Sequence, residues 1–297
     1  MNLENRNAGK DAAAQPVPMG FDFGSALNPD YVIKCSYGND SIALIQWMHE
    51  YNQKHPLGKV VVLYNNTGWS AKWWAPRVEH AETSLVLKYG FVPARTTSLG
   101  MRRLVLEKNC WPNSHMKFCT EQLKIMPTMA WLREHDPEGK AVMVCGVRRE
   151  ESWKRSLWPE WVESSDKNEG RSDWSPLVHY REEERDALIV RAGWAPLPHR
   201  SRECRCVLAN ANDLATWKES DIEDIEALEA ELGAQKHSRG NDDPLGNRYM
   251  FRPSVKAGNP KGIREVVRWA HGVIASRKDK NEPDSEPVGC DSGYCGG

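Results

Sequence analysis

Short apolar runs alternate with amphipathic stretches along the first two thirds of the chain. Residues 31–35, 59–64 and 141–145 contain such runs, which are typical of strands covered on both faces of a parallel sheet. Between the runs, residues 70–89 and 120–135 carry helical patterns. This alternation predicts an α/β fold with an open, mainly parallel, doubly wound sheet, whose ligand-binding loops lie at the carboxyl ends of the strands.

Cap and breaker residues set the predicted ends of these helices. Ser70 is expected to cap the first helix and Gly90 to end it. Thr120 is expected to cap the second helix, in which Pro127 should cause a kink or a restart. Residues 158–174 are rich in charge, Ser and Gly, which predicts a surface loop.

The rest of the chain predicts a helical appendage and polar tails. Residues 221–232 and 262–276 place apolar side chains at helical spacing, and Gly233 is the expected end of the first of these helices. Residues 235–247 indicate a linker. The predicted organisation is a disordered tail at 1–28, a main α/β domain at 29–217, a helical extension at 218–276 and a flexible, cysteine-bearing tail at 277–297.

Composition argues against several classes of protein. The 297 residues include 40 Lys and Arg against 41 Asp and Glu, so overall charge gives no sign of nucleic-acid binding. The first residues are polar, unlike a signal peptide, and no apolar stretch approaches the roughly 20 residues that span a bilayer. We therefore expect a cytoplasmic protein without a membrane partner, whose eight cysteines are reduced and better suited to metal than to disulfides.

The most informative segment, residues 31–45, places a small-residue turn between a strand and a helix. Such a turn directs backbone N–H groups and the positive end of a helix at one point, which favours an anion such as a phosphate. Ser36, Gly38 and Ser41 add donors, and Asp40 could hold a magnesium ion that neutralises a polyphosphate. The same residues also suit an ordinary capped helix after a strand.

Further polar motifs follow this turn along the chain. The full series is the turn at residues 36–41, Asn66-Thr67-Gly68, Cys119-Thr120 with Leu123, Lys124 and Pro127, residues 146–152 with Arg155, and Cys204-Arg-Cys206. Over roughly residues 30–217 the series resembles the phosphoadenosine phosphosulfate (PAPS) reductase-like family of the adenine-nucleotide α-hydrolase superfamily. The resemblance implies an adenine nucleotide that is held or split between its α- and β-phosphates, with sulfur chemistry as the commonest theme.

The turn departs at two positions from the family pattern, which is usually written Ser-Gly-Gly-Lys-Asp-Ser. Tyr37 replaces the first glycine and is expected to restrict the loop, because tyrosine does not easily take positive φ. Asn39 replaces the lysine that family members direct at the phosphates, and Lys124 is the candidate to supply the missing charge. Asp40 and Ser41 are retained, which implies a loop closer to ATP-using relatives than to assimilatory reductases.

Arginines follow the third buried strand and should emerge at the ligand edge of the sheet. Arg148, Arg149 and Arg155 could clamp phosphate or sulfate oxygens bidentately. They follow Gly146, and Glu151 would orient one of them. The alternative is a surface ion-pair cluster at the start of a helix.

Polar residues also end the second strand. Asn66, Thr67 and Gly68 could meet the ribose or the adenine there, although an ordinary loop turn is equally consistent with these residues. The predicted catalytic group consists of Asp40, Ser41, Arg148 and Lys124.

The cysteines suggest a second kind of chemistry. Cys204 and Cys206 lie in a cationic stretch that should lower their thiol pKa values, and Cys119 matches a cysteine position of related sequences. These thiols suit an iron–sulfur cluster or, alternatively, zinc, with Cys290 or Cys295 as a fourth ligand. They could also be unligated. Cys295 partly resembles the nucleophilic tail cysteine of assimilatory reductases, which attacks the sulfur of a bound sulfonucleotide.

The resemblance leads to three functional hypotheses. The first is magnesium-dependent attack on the α-phosphate of ATP, which releases pyrophosphate and adenylates an acceptor for sulfur insertion. A nucleic acid or a sulfur-carrier protein is the candidate partner. The second is thiol-dependent reduction of a sulfonucleotide. The third is a non-catalytic nucleotide- or cluster-binding accessory, such as one of a mobile-element system. Asp40 and Ser41 favour the first hypothesis, Cys295 favours the second, and the changes at Tyr37 and Asn39 favour the third.

Overall fold

The computed structural model describes residues 26–198, 203–235, 248–251 and 262–280. Several predictions fall outside these residues. They concern nearly all of the N-terminal tail, the linker after residue 235, the end of the C-terminal tail, and Cys290 and Cys295.

Six strands and nine α-helices are present in the described ranges. The strands are β1 (Tyr31–Cys35), β2 (Val60–Asn66), β3 (Val92–Thr97), β4 (Val142–Val144), β5 (Trp161–Val162) and β6 (Asp173–Trp174). The helices are α1 (Asn39–Lys54), α2 (Trp74–Ala81), α3 (Met101–Lys108), α4 (Phe118–Thr120), α5 (Met126–His135), α6 (Glu182–Arg191), α7 (Ala211–Leu214), α8 (Glu219–Ala234) and α9 (Ile263–Lys280). Among these helices, none is long and apolar enough to cross a membrane.

The strands form one sheet in the order β3-β2-β1-β4-β6-β5. All neighbouring pairs are parallel except β5 with β6, which is antiparallel. The chain passes from β1 outward to β2 and β3, and then returns to β4 on the other side of β1. The predicted doubly wound α/β sheet is therefore confirmed, and the strand order reverses between β1 and β4.

Alternation along the strands divides the core into two layers. Ile33 and Val62 belong to an apolar cluster with residues of α1, α2 and α6. Val32 and Val61 belong to another cluster with residues of α5. Successive strand residues point to opposite faces, so helices cover both faces of the sheet. This double covering is why the strands have continuous apolar runs rather than alternating ones.

The C-terminal helices share a third apolar cluster with the α/β part of the chain. This cluster joins Ile225 of α8 and residues of α9 to Leu104 of α3 and to Trp69. The predicted helices of this region are therefore present. Gly233 is not the end of the first of them, because α8 continues through that residue. The boundaries between the proposed domains remain predictions.

The first predicted long helix starts later than expected. Its α-helical part begins at Trp74 rather than at Ser70, and it continues as a π-helical segment over Glu82–Leu87. Ser70 is not a cap because it forms an isolated antiparallel bridge with Cys204. Tertiary pairing therefore overrides the capping preference of this serine.

The second predicted helix is also interrupted. Thr120 is the last residue of α4, and its side chain makes no capping hydrogen bond to the π-helical turn over Glu121–Ile125 that follows. Pro127 lies in the first turn of α5, so the helix restarts there as predicted. Residues 158–174 are mostly loop, as expected, but they also contain β5 and β6, which extend the edge of the sheet.

Candidate functional site

The loops after β1 and β4 meet at the carboxyl edge of the sheet, where the strand order reverses. A Cβ atom added at Gly146 would lie 3.1 Å from the backbone oxygen of Asp40. Glycine at this position therefore allows the loop after β4 to approach the first turn of α1. The structure brings together the two segments that the sequence nominated as a phosphate site.

Hydroxyl groups organise the turn between β1 and α1. The Ser36 amide donates to Oγ of Ser41 at 3.1 Å, and the two hydroxyl oxygens lie 3.3 Å apart. The Gly38 amide donates to Oγ of Ser36 at 3.3 Å. No side chain caps α1, so the positive potential of its first turn is not offset by a capping oxygen. Asp40 also lies in this first turn, and an anion site here remains a prediction.

Tyr37 adopts the left-handed backbone conformation that a glycine would take, with φ of 58°. We expected tyrosine to avoid positive φ and so to restrict the loop. This expectation is wrong, because Tyr37 takes the positive φ. Left-handed φ costs a non-glycine residue about 1–2 kcal/mol, and the contacts of the side chain offset this cost. The ring is fully buried and lies 5.7 Å from the Tyr64 ring, and the hydroxyl donates to Glu82 at 3.5 Å.

Asn39 bonds to another part of the protein. Its side-chain nitrogen donates to the Leu197 carbonyl at 3.0 Å, and its oxygen accepts from the Leu197 amide at 2.9 Å. These two bonds join residues that are 158 positions apart in the sequence. The side chain that replaces the family lysine thus holds a neighbouring segment at the start of α1.

Replacing Asn39 by alanine should loosen the segment around Leu197. Loss of two hydrogen bonds, each worth about 1 kcal/mol, should speed hydrogen exchange at the Leu197 amide by roughly tenfold or more. Asn52→Ala is a matched control, because the Asn52 side chain accepts from the Leu57 amide at 2.8 Å after α1. This control should speed exchange at Leu57 only. Unchanged exchange at Leu197 in Asn39→Ala would show that other contacts hold the segment.

Asp40 and Arg148 form a buried ion pair between the two loops. Nε of Arg148 donates to Oδ1 of Asp40 at 2.6 Å, and the two side chains are 6% and 5% exposed. A second nitrogen of Arg148 contacts Glu150 at 2.9 Å. The pair fixes the Arg148 guanidinium beside the first turn of α1.

The other two arginines of this segment have different partners. Arg155 is buried and pairs with Glu151, which also accepts from the Arg148 amide at 3.1 Å. Glu151 therefore orients an arginine, as the sequence suggested. Arg149 is half-buried, and its Nε donates to the Trp158 carbonyl at 2.9 Å, so that nitrogen is directed at the loop before β5.

A buried polar network lies at the end of β2. Lys124 and Glu203 lie 3.8 Å apart, with less than one tenth of either side chain exposed. Oγ1 of Thr67 lies 3.5 Å from Sγ of Cys204. Lys124, the candidate to replace the charge of the family lysine, is therefore paired with the Glu203 carboxylate. The sequence analysis did not single out Glu203. Its position directly before Cys204 is the feature that could have indicated it.

The pKa of Cys204 changes in the direction opposite to the prediction. Burial and, to a smaller extent, the charge of Glu203 raise the pKa of this thiol to about 12, although Lys124 opposes both effects. The predicted thiolate character is therefore wrong. Exclusion of water outweighs the cations of the flanking sequence.

The predicted metal cysteines do not form a ligand group in the part of the chain that the structure describes. No group of three or more His, Cys, Asp or Glu residues there could hold a metal ion. Sγ of Cys206 accepts from the Leu208 amide at 3.4 Å, and Cys119 packs against the third apolar cluster. Cys295 lies outside the described residues. An iron–sulfur cluster or a zinc ion on these cysteines remains a prediction that this arrangement does not fit.

The segment after β2 forms a local turn. The Gly68 amide donates to Oδ1 of Asn66 at 3.0 Å, and Gly68 has φ of 61°. The Thr67 hydroxyl accepts from the Trp69 amide at 3.3 Å. An ordinary turn is therefore enough to explain why Asn, Thr and Gly occur here. A contact of this segment with ribose or adenine remains a prediction.

Residues 30–205 match the phosphoadenosine phosphosulfate reductase domain family. The match covers more than half of the chain. The chain therefore belongs to this family, which confirms the resemblance drawn from the motifs.

A relative from Escherichia phage 186, the uncharacterized 37.8 kDa protein in the gpa 5' region, is 27% identical over 217 residues. The matched region is 65% of this chain and 63% of the phage protein, so less than two thirds of that relative is covered.

Solved structures match the chain only distantly. PAPS reductase from Candida auris, in a phosphate complex, gives a TM-score of 0.39 at 11% identity, over 57% of this chain and 74% of that one. The U34-tRNA thiolase NcsA from Methanococcus maripaludis, with its iron–sulfur cluster, gives a TM-score of 0.38 at 13% identity. That match covers 73% of this chain and 77% of the thiolase. FMN adenylyltransferase from Candida glabrata, in complex with ATP, gives a TM-score of 0.39 at 12% identity. That match covers 92% of this chain and 80% of the adenylyltransferase. At these scores the similarities carry no argument about activity.

Proposed function

We propose that this chain is a nucleotide-binding enzyme that promotes attack by an acceptor on the α-phosphate of ATP. The acceptor bonds to the α-phosphorus, the bond from that phosphorus to the bridging oxygen breaks, and pyrophosphate leaves with the electron pair. The product is an adenylated acceptor, from which a sulfur nucleophile can displace AMP as the leaving group. A nucleic acid or a sulfur-carrier protein is the candidate partner.

The turn at residues 36–41 carries this proposal. Ser36 and Ser41 are joined through their hydroxyls at the start of the 16-residue helix α1. Arg148 lies against the same helix start through Asp40. A helix N-terminus with an adjacent guanidinium suits a polyphosphate, and membership of the family supports an adenine nucleotide as the ligand.

Within this proposal the residues hold and neutralise charge rather than move a proton. The backbone amides in the first turn of α1 and the Ser41 hydroxyl bind phosphate oxygens, and Arg148 stabilises the charge that develops on the leaving pyrophosphate. Donors that are already in place before the reaction lower its barrier without a dedicated base.

Magnesium would arrive with the polyphosphate. Arg148 bonds to Oδ1 of Asp40, and magnesium commonly uses one or two carboxylates together with phosphate oxygens and water. A single carboxylate therefore fits this ion, although the described residues contain no larger ligand group. When bound, magnesium would neutralise polyphosphate charge.

Product analysis tests the proposal. Anaerobically purified protein is incubated with magnesium and either ATP or a sulfonucleotide, and the released products are identified. Pyrophosphate from ATP supports the proposed reaction, and we expect Ser41→Ala to lower its release at least about tenfold, because a hydrogen bond to a charged oxygen is lost. Ser156→Ala, a change at an exposed serine, should have no effect. The proposal fails if ATP yields no pyrophosphate or only ADP and phosphate.

A second function is favoured by the description of the family, which names a PAPS reductase domain. Reduction of a sulfonucleotide needs a nucleophilic thiol, and the raised pKa of Cys204 argues against that residue. Cys295 is the remaining candidate from the sequence. Sulfite release from the sulfonucleotide that is lost in Cys295→Ser would support this function instead.

A further inference from the structure

Three of the four cations that the sequence directs at the phosphates lie against carboxylates, and the fourth, Arg149, donates to the Trp158 carbonyl. These pairs are Arg148 with Asp40, Arg155 with Glu151, and Lys124 with Glu203. Asn39, at the position of the family lysine, is neutral and bonded to Leu197. A polyphosphate in the turn would therefore meet little uncompensated positive charge from these residues.

Arg77, in α2, is placed differently. Its Nε donates to the carbonyl of Tyr37, inside the turn, at 2.8 Å. Its guanidinium carbon lies 5.5 Å from the centre of the Trp74 ring and 4.7 Å from that of Trp194. One backbone oxygen and two aromatic rings thus fix this guanidinium at the turn.

The charge of Arg77 is not balanced within the described residues. One of its terminal nitrogens is buried there without a hydrogen-bond partner. Burial lowers the pKa of Arg77 to about 10, and no carboxylate opposes that shift. Arg95 provides the contrast, because the hydrogen bond that it donates to Glu82 raises its pKa. A half-buried cation whose buried donor is unsatisfied is unfavourable unless an anion completes it.

We propose that Arg77 is the phosphate-binding cation of this turn, where its guanidinium replaces the family lysine and bonds oxygens of the pyrophosphate part of the nucleotide. This inference rests on the proposed function, because it requires a polyphosphate in the turn. Anchored through Nε, Arg77 keeps its two terminal nitrogens for phosphate oxygens, and a lysine cannot make this forked contact. The flanking rings limit water around the guanidinium, which strengthens its attraction for an anion.

Pyrophosphate, ATP and adenosine distinguish this role from a structural one. Calorimetry with magnesium should show that Arg77→Met binds pyrophosphate and ATP about ten- to hundredfold more weakly, whereas adenosine affinity changes less than about twofold. Arg77→Lys should retain part of the affinity, because it keeps the charge but loses the fork. Arg103→Met is the matched control, since Arg103 is exposed on α3 and paired with Glu107. It should bind all three ligands as the wild type does.

The stability of the ligand-free protein provides an independent readout. Arg77→Met removes an unpaired, half-buried charge, so its urea midpoint should equal or exceed that of the wild type. Pyrophosphate should raise the midpoint of the wild type more than that of the variant, because stabilisation follows affinity. A residue that only supported the turn would give the opposite result in the ligand-free protein.

Two outcomes would overturn the role of Arg77 alone. One is wild-type pyrophosphate affinity in Arg77→Met. The other is an equal loss for adenosine together with a lower urea midpoint, which would assign Arg77 to support of the Tyr37 backbone. If the wild type binds neither ATP nor pyrophosphate, the proposed function and this inference both fail. That case differs from the two above, because the wild type and Arg103→Met would then both show no binding.

Discussion

Replacing Asp40 by alanine is expected to stop pyrophosphate release and to lower the free energy of unfolding by about 3–5 kcal/mol. The loss of stability follows because Arg148, which is 6% exposed, would lose its buried partner and keep only the half-exposed Glu150 carboxylate. Pyrophosphate release stops because Arg148 is no longer fixed beside α1 and because magnesium loses its carboxylate ligand. Urea denaturation measures the first effect, and a pyrophosphate assay measures the second.

A distant ion pair gives the matched control. Nε of Arg171 donates to Oδ2 of Asp136 at 2.6 Å, and both side chains are 4% exposed. Asp136→Ala should therefore destabilise the protein to a similar extent, while the folded fraction keeps its pyrophosphate release. Pyrophosphate release at the wild-type rate in Asp40→Ala would contradict the catalytic role of that residue.

The double variant Asp40→Leu with Arg148→Met separates stability from chemistry. Removing both charges and keeping apolar volume is often neutral for stability, so most of the lost free energy should return. Pyrophosphate release should remain absent, because the cation and the carboxylate are both missing. Recovered release would show that the pair supports only the fold.

Local signals explain why the sheet and the phosphate turn could be predicted. The apolar run that became β2 is bounded by polar residues, and the turn at residues 36–41 lies directly between a β-branched run and a helical pattern. Parallel pairing then places the loop after β4 beside that turn without further information. The nearness of Gly146 to Asp40 follows from these rules.

Contacts between distant segments could not be predicted. Nothing in the residues around Asn39 indicates that its side chain bonds to Leu197, 158 positions away. The placement of Arg77 against the Tyr37 carbonyl likewise depends on how α2 packs on the sheet. Such contacts decide which cations remain for a ligand, so the sequence alone nominated Lys124 and not Arg77.

Burial changed the predicted chemistry of Cys204. The sequence displays the charges near this thiol, which favour the thiolate. It does not display the exclusion of water, which disfavours the thiolate and here determines the direction of the pKa shift. Charge patterns are therefore a poor guide to the pKa of a thiol buried in this network.

Tyr37→Gly is expected to destabilise the protein, even though glycine suits the backbone of the turn. Relief of the left-handed conformation would return about 1–2 kcal/mol. Loss of a fully buried aromatic side chain removes about 3–5 kcal/mol, because a cavity replaces the ring. The net loss of roughly 1–4 kcal/mol should appear as a lower urea midpoint.

Two further variants divide this effect into its parts. Tyr37→Phe keeps the ring and removes the hydroxyl that lies 3.5 Å from Glu82, so it should lose no more than about 1 kcal/mol. Asn109→Gly is the backbone control, because Asn109 has φ of 52° at the end of α3 and places no large side chain in the core. Its stability should change by less than about 1 kcal/mol. A Tyr37→Gly protein more stable than the wild type would show that backbone strain outweighs ring packing in this turn.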